Sequence, residues 1–191
     1  IDQLAQRKFA LCKSIERKID LHRKKQAEKA FQQSLFGSDA LPLEVSPELC
    51  FAFSEDTYTP GSYDNGSIRF NKHLFSIIGE FDSGEEKKCA AVIDRLDDIE
   101  FWVRNVDRRP ESSFWLQTST DRFYPDFVAK LKDGRILVVE YKGEDRWSND
   151  DSKEKRAIGE LWADRSEGKC LFVMPKGMDW GTIKTILQPD K

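Results

Sequence analysis

The chain reads as an α/β protein in which a helix, three strands, a second helix and a final strand follow one another. Three observations predict this order. Apolar residues recur at helical spacing in 85–98 and 153–165, near-continuous apolar runs fill 125–131 and 135–142, and glycine or polar clusters separate these segments. Runs that are apolar on both alternating faces belong to strands buried between two layers, so a sheet flanked by helices is expected.

Taken in order, the first 36 residues predict a long helix, because Leu4, Leu11, Ile15 and Ile19 recur near helical spacing without Gly or Pro. Residues 37–47 read as a linker, which divides the chain into a helix with linker (1–47) and one main domain (48–191). Residues 48–83 are the least legible. Gly61-Ser62-Tyr63-Asp64-Asn65-Gly66-Ser67 has the glycine spacing of a phosphate loop, but Ser67 stands where the lysine should be, and Asn65-Gly66 favours a hairpin turn. No nucleotide site is read there. Ser83-Gly84 suits a helix start, and Cys89, Val92, Ile93 and Leu96 then mark the buried side of 85–98. A strand at 100–106 and an extra one at 114–118 precede the hairpin of 125–131 and 135–142. Beyond Gly143, polar residues through Asp151 supply caps for a helix over 153–165, whose buried side carries Ile158, Leu161 and Trp162. Gly168 stops it, and 169–174 is a strand closed by Pro175.

Composition narrows the class. A chain of 191 residues, 39% hydrophobic and 34% charged, can bury one substantial core and is ordinary for a soluble protein. It opens with Ile1, shows no signal-peptide pattern, and its longest apolar runs fall far short of a membrane span, so it is read as a piece of a larger cytoplasmic protein. Cys12, Cys50, Cys89 and Cys170 lack CxxC spacing, which argues against zinc or a disulfide framework and for buried thiols. The net charge of −3 hides an asymmetry: residues 1–30 hold nine Lys or Arg against four acids, a net +5 that leaves −8 for the remainder. Overall acidity therefore does not exclude a nucleic-acid partner, although a solvated basic face or a strut is the simpler reading of that helix. His22 and His73 are the only histidines, too few to support histidine-based or zinc hydrolysis.

The hairpin carries the chemistry. Pro125-Asp126 heads its first strand and Glu140-Tyr141-Lys142 ends its second. A two-residue Asp133-Gly134 loop would put the two acids on opposite faces. A three-residue loop, Lys132-Asp133-Gly134 with Gly134 left-handed, pairs Leu131 with Arg135 and so Asp126 with Glu140, leaving Lys142 on the same face. Directly opposed β-carbons lie about 4.5–5.5 Å apart, close enough for two carboxylates to share one hard cation. Without a cation they would repel. Upstream, either Glu85 or Glu86 extends the apolar stripe of its helix and offers a third acid; projection at 3.6 residues per turn slightly favours Glu85, and acids also favour a first helical turn for dipole reasons alone. Lys155 falls one turn before Ile158 on the buried side, where a lysine usually reaches out to water.

This pattern resembles the PD-(D/E)xK nuclease superfamily, in the form Pro125-Asp126, thirteen intervening residues, then Glu140-Tyr141-Lys142. The resemblance implies a restriction-endonuclease-like α-β-β-β-α-β core with a mixed central sheet. It also implies a spacing of Glu followed by small or apolar residues that Glu86, Cys89, Ala90 and Ile93 match, so Glu86 is chosen over Glu85. Lys72-His73, Trp102-Val103-Arg104-Asn105 and the Lys155 helix extend the likeness over about 58–175, towards the C-terminal nuclease region of type III-like restriction or helicase-nuclease subunits.

The activity implied by this resemblance is Mg²⁺-dependent hydrolysis of DNA phosphodiester bonds, with Mn²⁺ able to substitute. Double-stranded DNA is the implied partner, and any helicase or translocase motor lies outside this chain. Asp126, Glu140, the Tyr141 carbonyl and Glu86 are the implied metal ligands, Lys142 the residue that positions the attacking water, and Lys155 a residue facing the phosphate. The superfamily also contains folds that bind without cutting, against which Asp126, Glu140 and Lys142 all being present counts. A third reading makes Trp102, Trp115, Trp147, Trp162 and Trp180 packing or partner contacts in an interaction domain.

Overall fold

In a computed structural model the chain is described over residues 2–36 and 52–188. The predicted linker lies outside the described residues, as does Cys50. Two compact units are present: residues 1–45 with 117–121, and residues 46–116 with 122–191. The first contains α1 (Asp2–Phe36), whose Leu11, Ile15 and Ile19 are exposed. Cys12 on this helix is exposed too, which corrects the expectation of uniformly buried thiols; Cys89 is buried and Cys170 intermediate.

The second unit is mixed α/β. Its elements run α2 (Gly84–Arg95), β1 (Ile99–Arg104), then the two-residue β2 (Leu116–Gln117, the last residue in the first unit) and β3 (Arg122–Phe123). They continue with β4 (Phe127–Leu131), β5 (Ile136–Val139), α3 (Asp150–Arg165), β6 (Cys170–Val173) and α4 (Gly181–Leu187). The four-stranded sheet has the order β1-β4-β5-β6, antiparallel across its first two pairs and parallel between β5 and β6. The α3 crossover makes that parallel pair possible, since parallel neighbours need a long connection. Among the described residues no helix is long and apolar enough to cross a membrane.

The hairpin register is the one that a three-residue loop dictates. Val128 pairs with Val138 and Lys130 with Ile136. Beyond them the Leu131 amide donates to the Arg135 carbonyl at 2.8 Å, and the Gly134 amide closes back on Leu131 at 3.0 Å. Gly134 has φ +93°, where a Cβ would be strained, and the Asp133 carboxylate accepts from the Arg135 amide at 3.0 Å. Turn chemistry and apolar alternation thus agree on one pairing.

Alternation then sorts the core. Phe127, Ala129, Leu131, Leu137 and Val139 pack with Cys89, Ala90 and Ile93 of α2 and Ile183 and Leu187 of α4. Val128 and Val138 point the other way, into a cluster with Phe123, Phe172, Met174 and Trp162 of α3. Burial on both faces is the physical reason the strands lack a polar side. α3 approaches β6 closely because Gly159 faces the Phe172 ring: a Cβ there would lie 2.5 Å from ring carbons.

Several boundaries differ from expectation. α2 ends at Arg95, not residue 98, because Asp94 turns inward to accept the Asn71 and Lys72 amides and the Trp102 indole N–H, at 2.8–3.1 Å. α3 starts at Asp150, capped by Asn149, whose side chain accepts the Ser152 amide at 2.7 Å. α4 was not expected; its seven residues carry too little periodicity to stand out. Asn65-Gly66 does not close the expected hairpin, since Tyr63 bridges Gly79 instead; the side chains of this loop hold a lysine, with Lys87 Nζ reaching Asp64 at 2.5 Å and Ser67 at 2.7 Å.

Two substitutions test this packing. Gly134→Ala should destabilise by about 1–2 kcal/mol through the left-handed backbone alone. Gly159→Ala should also destabilise, because overpacking of about 1–3 kcal/mol outweighs the gain of about 1 kcal/mol in helix propensity. Denaturant midpoints measure both; a stabilised Gly159→Ala would mean that the helix and sheet are not in this close contact.

Candidate functional site

Asp126 and Glu140 stand just past the paired ends of β4 and β5, and the register leaves them opposed. The chain after β5 stays extended because the Glu140 amide donates to the Val173 carbonyl at 3.1 Å and the Lys142 amide to that of Pro175 at 3.4 Å. On the β4 side, Asp126 Oδ2 takes the Tyr141 amide at 2.7 Å, so a side chain replaces the ladder's next carbonyl. This bond fixes one oxygen of Asp126 against the strand bearing Glu140.

Glu140 is buried, and its Oε1 lies 2.8 Å from the ammonium of Lys142, two residues along the same face. Its Oε2 is buried without a hydrogen-bond partner among the described residues. Tyr141 turns to the opposite face, where its hydroxyl meets the Glu85 carboxylate. Lys155 pairs with Asp151 at 2.9 Å and lies 5.5 Å from the Phe123 ring centre, on the Glu140 side of the sheet.

The two helix acids part company. Glu85 is exposed apart from its bond to Tyr141, whereas Glu86 is 2% exposed and faces the core. Glu86 Oε2 accepts the Asp82 amide at 2.8 Å, and Oε1 lies 2.7 Å from Arg104 Nε. That last contact is a charge contact without hydrogen-bond alignment. Arg104, the last residue of β1, pairs with Phe127 and is itself 9% exposed.

Arg104 and its neighbour Asn105 are the site residues that periodicity and spacing had least reason to single out. Asn105 donates its amide N–H to the Asp126 carbonyl at 2.9 Å, and its side chain bridges Phe114 and Pro125, holding the Pro-Asp segment from behind. Arg104 is held at both backbone ends: its N–H donates to His73 Nε2 at 3.1 Å and its carbonyl accepts the Tyr58 hydroxyl at 2.9 Å. His73 therefore has a positioning part. The available signal was a polar Arg-Asn pair closing an otherwise apolar strand.

Electrostatics tie these groups together. Burial first, and Asp126 second, push the Glu140 pKa up to about 8, against Lys142 and Lys155. Glu86 is likewise pushed up to about 8 by burial and then Asp126, against Arg104. Asp126 keeps some solvent exposure, yet desolvation still raises its pKa against the pull of Arg104, the Tyr141 amide and Lys142. Burial lowers the Lys142 pKa, but Glu140 and Asp126 outweigh it and leave the ammonium more basic than an ordinary lysine. Asp126 is thus the neighbour that Glu86 and Glu140 share, one from each side of the sheet.

The donor set suits a hard cation. Two opposed carboxylates, one with an orphaned oxygen, are what Mg²⁺ takes from a protein when water and substrate fill its other positions. Among the described residues there is no group of three or more His, Cys, Asp or Glu side chains arranged to hold a metal. Asp126 and Glu140 are the two side chains that could hold such an ion. No family model, curated protein or solved structure matches this chain.

Raised carboxylate pKa values fix the sign of the pH dependence. Between the ordinary value of 4.5 and about 8, the folded state binds protons on Glu86 and Glu140 that the unfolded chain has released. In chelator, stability should therefore fall as pH rises from about 5 to about 9. Thermal melts at the two ends measure it, and Glu140→Gln should flatten the profile; a melting temperature that rises across this window would contradict the proximity of these acids.

Proposed function

We propose that the second unit is a metal-dependent nuclease domain of the restriction-endonuclease-like kind, which hydrolyses phosphodiester bonds in double-stranded DNA. The observation that carries this reading is the opposition of Asp126 and Glu140 across the β4–β5 register, with Lys142 beside them. The order α2-β1-β4-β5-α3-β6 supports it as well. The same resemblance makes the domain part of a larger restriction or helicase-nuclease protein, with the motor elsewhere.

Asp126, the Glu140 side chain and the Tyr141 carbonyl would hold Mg²⁺, or Mn²⁺ in its place. Such an ion supplies an activated water and charge relief at the phosphate. Everything else falls to the chain. The Tyr141 amide keeps Asp126 turned towards Glu140, so the acids need little reorganisation on loading. Lys142 tempers repulsion between them, and its ammonium orients the attacking water and stabilises charge as the phosphodiester is cut. Lys155, already felt by Glu140, faces the phosphate from α3. Phosphate contacts of this kind position a duplex without reading its sequence.

Incubation of the chain with plasmid and linear DNA tests the reading. Cleavage should require Mg²⁺ or Mn²⁺, stop in chelator, and fall by at least about a hundredfold in Asp126→Asn, as expected for loss of a group acting on the reacting centre. Equal cutting by both proteins would refute the proposed chemistry. A chain that binds neither ion, even with DNA present, would favour a nuclease fold that docks without cutting.

A further inference from the structure

We infer that Arg104 is a built-in cation that takes the place of a second metal, so that the site holds one divalent ion, between Asp126 and Glu140, and Glu86 is not a ligand. This rests on the nuclease reading and departs from the ligand set the resemblance implies, in which Glu86 binds metal.

Three independent observations carry it. The first is topological: Glu86 comes from α2, which covers the face bearing Phe127 and Val139, whereas Glu140 and Lys142 follow the alternation of Val138 towards α3. Acids on opposite sides of a sheet end do not converge on one ion, and Asp126 alone neighbours both. The second is occupancy of the Glu86 carboxylate, with Oε2 on the Asp82 amide and Oε1 at 2.7 Å from Arg104 Nε. A divalent ion bound to Oε1 would sit against the guanidinium, so cation and metal exclude one another there. The third is the way Arg104 is fixed. His73 and Tyr58 hold its peptide, its Nη1 donates to the Asn105 carbonyl at 2.5 Å, and its guanidinium lies 6.0 Å from the centres of the Phe81 and Phe127 rings. These tethers and the contact with Glu86 hold the guanidinium where a second ion would have to sit. By contrast, the acceptor left open is Glu140 Oε2, on the other face.

In this arrangement Arg104 is a positioning residue. It stands against Glu86 and draws on part of the Asp126 charge, and only the Asp126–Glu140 pair awaits an external cation.

The test is titration of the whole chain with Mn²⁺ alone, without DNA, read by calorimetry and by the resonance signal of free Mn²⁺. Wild type should bind one ion. Asp126→Asn should bind none. Glu86→Gln should still bind one, with affinity changed by less than about tenfold, the lower end of what an outer-shell change costs. Two ions bound by wild type, or none by Glu86→Gln, would overturn the inference while leaving the nuclease reading standing; no ion bound by wild type, in this titration and again with DNA added, would bring down both. A thermal-melt cycle adds a readout that tolerates poorly folding single variants. At about pH 9, above the raised Glu86 value, Glu86→Gln with Arg104→Met should melt above Arg104→Met alone, because removal of one partner leaves a buried acid without its cation and the double change eliminates that acid. A double variant that melts no higher than Arg104→Met would show the two groups uncoupled and overturn the role given to Arg104.

Discussion

Mutual repulsion of carboxylates 86, 126 and 140 in a partly dry sheet end is the constraint that this domain is organised to meet. Burial raises the proton affinity of all three acids, and Asp126 adds to that of Glu86 and Glu140. The chain answers with cations placed one per side: Arg104 against Glu86 and Lys142 against Glu140, with Lys155 further off. Asp126, between them, gets a backbone amide and only a share of each charge. A divalent ion is the natural counterpart for what is left.

Magnitudes decide how the cations divide the site. At 4 Å and an effective dielectric constant of about 20, a unit pair interacts by about 4 kcal/mol, so a divalent ion beside Arg104 would be repelled by about 8 kcal/mol. On the other face the nearest fixed cation, Lys142, sits on a flexible stem and presents a point charge that can lean away from an incoming ion. A tethered guanidinium on one side and a more mobile ammonium on the other would direct an ion to one place.

Much of this architecture was legible because local and long-range signals coincide. Apolar runs on both sides of 132–134 allowed a two-residue or a three-residue loop; the left-handed Gly134 and the Asp133 bond to the Arg135 amide select the second, and that register brings 126 opposite 140. Cys89 and Ile93 of α2 and Ile158 and Trp162 of α3 fall where periodicity puts them, whereas Val92 and Leu161 are only partly buried. What escaped was non-local. Nothing near Asp94 announces that it will take two amides from 71–72 and an indole from 102, and so end its helix early. Arg104 and Asn105 owe their roles to partners 18 to 46 positions away, where periodicity is silent. Choosing Glu86 over Glu85 required a spacing rule, since projection favoured the other; burial separates them because Glu86 turns to Arg104 while Glu85 meets only the Tyr141 hydroxyl at the rim.

Joint chelation by opposed carboxylates from neighbouring strands is the proposition on which the nuclease chemistry stands. Anomalous scattering from crystals of the chain grown with Mn²⁺ decides it. One peak is expected, about 2.1 Å from an oxygen of both Asp126 and Glu140, a distance set by a small hard cation. A peak bound to either acid alone, or one centred on Glu86, would be incompatible with it.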